Sequence, residues 1–206
     1  MSELVSRKPG AVKVYRRVWP LALAILGDAR MVFREGEYVR HRSEPDWGIG
    51  RVLSLGENGN VTVFYLRGGK RILSGDNPQL EPVDDPHHRV LELAGATNWK
   101  HADRNLYVVE LRPEVFERER TFFEANLHWL PEKLCLYVGV TGLTPEERFR
   151  QHLRGEHAAR IVQKYGRRLL PECYQHFNPL PYALAQEMEP ELARQLRSDG
   201  HAVWQN

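Results

Sequence analysis

Two cysteines in 206 residues, Cys135 and Cys173, cannot make a disulfide framework, so the expected setting is a reducing cytoplasm. No apolar run reaches the length needed to cross a bilayer, and no membrane partner is expected. An excess of one charge sign is also missing. With 29 Lys and Arg against 27 Asp and Glu, the formal net charge is +2, too small to argue for a polyanionic partner. Any case for nucleic acid must therefore come from local clustering. Hydrophobic residues at 42% and charged residues at 27% are ordinary for a globular chain, long enough for one large domain or two small ones.

Residues 1–30 stand apart. Arg16 and Arg17 precede an apolar run from Val18 to Leu26, the outline of a short signal peptide. Pro20 interrupts the run and no small-x-small cleavage site follows. The expectation is a loosely attached leader, or a natural start at Met31, rather than secretion.

From residue 31 to 84 the pattern is β. Gly36 to Arg40 alternates, a run from Trp47 to Leu53 resumes after a proline-containing turn, and Asn58-Gly59-Asn60 signals a hairpin before Val61 to Leu66. Gly68-Gly69 then turns the chain into Lys70 to Leu73. Short strands at this spacing suggest a small barrel. The string with Trp47-Gly48-Ile49-Gly50 at its centre resembles a bacterial SH3- or Tudor-like module, which implies a nucleic-acid- or protein-binding appendage. Its Arg40, His41, Arg42, Arg67, Lys70 and Arg71 read either as a phosphate-facing strip with Trp47 or Tyr65 for stacking, or as solvated strand faces that blunt exposed edges.

Pro82 to His88, with two prolines and two acids, breaks the periodicity and opens an expected linker over 85–104. His87-His88 reads as a solvated pair, because no third ligand lies nearby. Cys173 and His176 share a C-x-x-H spacing without enough other cysteines for zinc.

Asn105 to Leu111 is a clear strand, and a charged helical stretch is expected over Glu114 to Leu127. Leu136-Tyr137-Val138 is a second strand, followed by a glycine turn over 139–144 and a helix opened by Thr144-Pro145-Glu146. Thr144 suits the N-cap, Pro145 the first helical position, and Glu147 completes a capping box. Arg148 and His152, four apart, then share one helix face. A second amphipathic helix is expected over Ala158 to Tyr165. Arg150, Arg154, Arg160, Lys164, Arg167 and Arg168 locally outnumber acids, as in a groove that tracks a phosphate backbone. A last helix is expected from about Pro181 to Asp199, then a strand to Asn206.

Over roughly residues 105–206 these features resemble the GIY-YIG endonuclease family. Tyr137-Val138-Gly139 matches its second motif and Arg148 its helical arginine, here eleven residues after Tyr137. Tyr107 stands for the first tyrosine, with Asn105 and Leu106 in place of glycine and isoleucine and a longer gap to the second motif. The resemblance implies an α+β chain: a small SH3/Tudor-like barrel, then a small central antiparallel sheet flanked by helices. It also implies a metal-dependent DNA endonuclease using Mg²⁺ or Mn²⁺, serving repair, recombination or restriction.

Glu189, with Ala185 a turn before and Leu192 and Ala193 a turn after, matches the family's metal-binding glutamate. Glu187 is the alternative, because Pro190 can shift the helix register. In this reading Arg148 binds the phosphate and Tyr107, helped by His152 or Tyr137, takes a proton from water. The competing expectation is a nucleic-acid-binding adaptor that keeps the fold without cleavage, suggested by the altered first motif and the long insertion.

Overall fold

The computed structural model describes residues 33–57, 59–77 and 79–205. The leader, the Asn58 of the expected hairpin signal and Asn206 lie outside them. Alternation along the first five strands decides what each buries. They are β1 (Tyr38–His41), β2 (Gly50–Leu55), β3 (Asn60–Tyr65), β4 (Gly69–Ser74) and β5 (Leu80–Val83). They pair antiparallel in the order β4-β3-β2-β1-β5. Val61, Val63 and Tyr65 of β3 point into a small core with Phe33, Val39, Val52 and Leu80. Phe64, on the opposite face, points away and joins the main core of the molecule.

One boundary moves. Trp47 lies in a single 3-10 turn, Pro45–Trp47, and β2 begins only at Gly50. Pro45 fixes its own φ and donates no N–H, which suits the first position of such a turn and not a paired strand.

The expected linker holds a helix. In α1 (Arg89–Ala96), Val90, Leu91 and Ala94 form a buried stripe that packs on β2 and on the final helix. Beyond it come β6 (Ala102–Leu111), α2 (Glu114–Arg118), α3 (Arg120–Ala125), β7 (Cys135–Thr141), α4 (Pro145–Arg154), α5 (Arg160–Tyr165), β8 (Gly166–Leu169), β9 (Leu180–Pro181), α6 (Tyr182–Ser198) and β10 (Ala202–Trp204). The second sheet runs β10-β7-β6-β8, with β9 also on β6. It is antiparallel apart from β10, which pairs parallel with β7. The class is thus mixed α+β, as expected, with a small β sheet preceding the helix-flanked one.

The β module is built into the rest. Tyr38 and Phe64 belong to the larger core. Gln195 of α6 donates to the Leu66 carbonyl at 3.1 Å, Arg67 pairs with Asp199 at 3.1 Å, and Arg51 donates to the Leu91 carbonyl at 3.3 Å. The strand expected to end at Val138 runs on through Gly139 to Thr141. The stretch expected as one charged helix is two short ones that meet at Glu119. β8 lies where basic surface was expected without a strand. Pro190 sits inside α6, which continues through it although one N–H is missing from its ladder.

Candidate active site

The site begins with a cap. Thr144 Oγ1 accepts from the Glu147 N–H at 3.2 Å, and the Thr144 N–H donates to Glu147 Oε2 at 3.1 Å, the reciprocal capping box. Pro145 occupies the first turn and Gly155, at φ +81°, closes the helix in the left-handed region. That cap fixes the start of α4, and the Leu143 N–H donating to Thr141 Oγ1 at 3.1 Å holds the turn to the end of β7, so Arg148 and His152 follow one turn apart.

On the sheet, Tyr107 of β6 lies opposite Gly139 of β7. A Cβ at position 139 would come within 2.6 Å of the Tyr107 hydroxyl, so the tyrosine lies across the strand in space that only glycine leaves. Tyr137, two residues earlier, shares that face. The three rings of Tyr107, Tyr137 and His152 form a cluster with centroids 5.8–6.0 Å apart.

Hydrogen bonding assigns the protons. The Ala159 N–H donates to His152 Nδ1 at 3.0 Å, so that nitrogen is unprotonated. Neutral His152 then carries its hydrogen on Nε2, which lies 2.8 Å from the Tyr107 oxygen and donates to it. Burial, with Arg148 nearby, pushes the His152 pKa down to about 4, which keeps the ring neutral near pH 7. The nearby Tyr137 hydroxyl and Arg148 guanidinium pull the Tyr107 pKa down. Burial acts more strongly in the other direction, so the Tyr107 pKa is raised overall. Tyr137 is raised further, chiefly by burial and then by its neighbour Tyr107.

Arg148 is half-buried and oriented. Its Nη1 donates to Gln151 Oε1 at 3.2 Å and its Nη2 to the His157 carbonyl at 3.0 Å. Glu189 faces this group from α6, and its charge reaches both Tyr107 and Tyr137. No cation pairs with it among the described residues, and burial pushes its carboxyl up to about 7. Glu187, about 200° around the helix, instead pairs with Arg89 at 2.8 Å. The structure thus brings Tyr107, Tyr137, Arg148, His152 and Glu189 together and leaves Glu187 out.

The expected phosphate track is only partly free. Arg167 and Arg168 lie on β8 and bind the two oxygens of buried Glu110 at 2.6 and 2.7 Å. Lys164 pairs with Glu119 at 3.0 Å. Arg150, Arg154 and Arg160 are exposed, and the first two line a shallow concavity on the outer face of α4 with Gln151 and Glu147. In the β module, Tyr65 is fully buried and cannot stack on a ligand. Arg71 lies over Trp47, Lys70 lies over Trp99, and Arg42 pairs with Glu81. Most of that basic strip is therefore engaged internally.

Two features escaped sequence reasoning. Glu110 looks like one more strand residue, yet it organises two arginines from another strand. Asn178 brackets the Leu106 peptide, its Oδ1 accepting from the N–H and its Nδ2 donating to the carbonyl, both at 2.8 Å. Neither has a local sequence signal.

Residues 33–83, spanning the first sheet, match a family model described as a protein of unknown function (DUF3553). No curated protein and no solved structure matches the chain. The match stops before α1 and does not reach the tyrosine and histidine cluster. No helix among the described residues is long and apolar enough to cross a membrane.

The donor set bears on the implied metal. No group of three or more His, Cys, Asp or Glu is placed to hold an ion among the described residues. An unpaired, half-buried carboxylate fits Mg²⁺ nonetheless, because that ion keeps most of its waters and is commonly held by one or two carboxylates plus substrate phosphate.

Proposed function

We propose that the chain is a metal-dependent DNA endonuclease of the GIY-YIG type. The observation that carries the reading is the grouping of polar side chains around the Tyr107 hydroxyl. His152 Nε2–H bonds the Tyr107 hydroxyl, Tyr137 and Arg148 lie close enough to act on its charge, and an unpaired Glu189 faces the same cluster. These neighbours hold the phenolic oxygen in place and oppose the burial that keeps Tyr107 a neutral phenol, so its own hydrogen is the proton that must leave before it can act as a base.

In this mechanism Arg148 binds the non-bridging oxygens of the scissile phosphate with its planar fork, while Gln151 and the His157 carbonyl hold its orientation. Tyr107, once it has lost its own proton to solvent with Arg148 favouring the phenolate, accepts the proton of the attacking water. His152 stays neutral and keeps Tyr107 in place through Nε2–H. Glu189 would hold Mg²⁺ or Mn²⁺, whose chemistry is Lewis-acid stabilisation of the leaving oxygen. Arg150, Arg154 and Arg160 supply the exposed charge for flanking phosphates.

A second reading is a nucleic-acid-binding adaptor without cleavage. Burial favours it: Tyr107 is 1% and His152 0% exposed, so neither is open to solvent. The test is cleavage of labelled duplex, single-stranded, flap and junction DNA with Mg²⁺ or Mn²⁺, wild type beside Arg148→Ala and Glu189→Gln. Cleavage lost in EDTA and in both variants is the expected result. Binding without cleavage on every substrate moves the assignment to the adaptor. No binding at low salt removes nucleic acid from the picture.

A further inference from the structure

Tyr182 opens α6 with 58% of its surface exposed, more than any other Phe, Tyr or Trp among the described residues. The Arg104 guanidinium lies over its ring, 5.3 Å from the centroid. Arg104 is braced in turn by Asp103 at 3.3 Å and by the turn between β7 and α4, where a Cβ at Gly142 would meet its Nη1. One covered face and more than half the surface in water make this ring a ready surface for stacking, and the cation beside it suits a phosphate.

Its position ties it to the proposed site. Tyr182 lies seven residues before Glu189, so the two share a face of α6 about 10.5 Å apart along the axis. Arg104 lies three residues before Tyr107 on β6, so the two side chains leave opposite faces of the strand, and its tie to the site is the turn at Gly142 that leads into α4. The spacing along α6 sets the ring about three base steps from Glu189 at the roughly 3.4 Å rise of stacked bases. In a duplex each base face is already covered by its neighbours, so only an unstacked base can use the ring.

We infer that Tyr182 and Arg104 form a stacking platform for an unpaired nucleobase, which directs the enzyme to DNA that is single-stranded or frayed beside the scissile phosphate. This inference rests on the endonuclease reading.

The test is fluorescence anisotropy with a labelled single strand and a blunt duplex of the same sequence, in EDTA so that binding is read without cleavage. Tyr182→Ala is expected to weaken single-strand binding about tenfold and duplex binding by no more than about twofold, while Tyr182→Phe keeps the wild-type preference. Because Tyr182 is exposed, thermal melts of the variants should match wild type, which separates lost stacking from lost fold. Unchanged single-strand affinity in folded Tyr182→Ala, or equal loss on both DNAs, overturns the platform alone if wild type still binds and cleaves. If wild type binds neither DNA, the endonuclease reading fails and the platform with it.

Discussion

Replacing Glu189 by glutamine tests the central carboxylate without needing a substrate. Burial raises the Glu189 pKa from an ordinary 4.5 to about 7, and no cation compensates among the described residues. The folded chain therefore holds this proton between about pH 4.5 and 7 whereas the unfolded chain releases it, so stability falls as pH rises through that window. At about 1.36 kcal/mol per unit, the shift sets a ceiling of about 3 kcal/mol. Solvent screening of a half-buried group brings the expected cost to about 1–2 kcal/mol. Glutamine mimics the protonated acid and escapes that cost. Urea unfolding should therefore show Glu189→Gln more stable than wild type by about 1–2 kcal/mol near pH 8.5 and equal to it near pH 4.5. Mg²⁺ at about ten times its Kd should add about 1.4 kcal/mol to wild type near pH 8.5 and nothing to the variant. A variant no more stable at high pH, or a gap that persists into acid, would refute the idea that an uncompensated carboxylate sits there.

Gly139→Ala drives a Cβ against the Tyr107 hydroxyl and should cost about 1–3 kcal/mol in denaturant unfolding, with loss of cleavage from the displaced tyrosine. Arg148→Lys keeps the charge but not the fork, so single-turnover cleavage should fall about 10²–10³-fold with little change in melting temperature. The double variant Arg167→Ala/Arg168→Ala strips buried Glu110 of both partners and should lose about 2–3 kcal/mol, whereas Arg150→Ala/Arg154→Ala should stay within about 0.5 kcal/mol and weaken DNA binding instead. His152, whose pKa falls from 6.5 to about 4, gives stability that is lost as pH drops through that window. NMR titration of its ring should show no protonation at pH 6.

Several parts of this molecule could be read from neighbouring residues alone. Thr144, Pro145 and Glu147 locate the start of α4 because a cap is a hydrogen bond between residues three apart. The strand character of β3, β6 and β7, and the apolar stripe of α6, follow from one turn or one pleat of chain. The spacing of Arg148 and His152 places them on one face before any fold is known.

Other features were decided only by tertiary contacts. Arg167 and Glu110 are 57 residues apart, and nothing near either shows that they pair. Whether Glu187 or Glu189 faces the tyrosines depended on α6 continuing through Pro190 and on Arg89 taking Glu187. The β module looked like an appendage because the prolines before α1 are local, whereas the core it shares through Tyr38 and Phe64 is not. Short-range hydrogen bonds and periodicity are written in adjacent residues. The choice among partners for a charge or an apolar face is made only when distant segments compete for the same buried space.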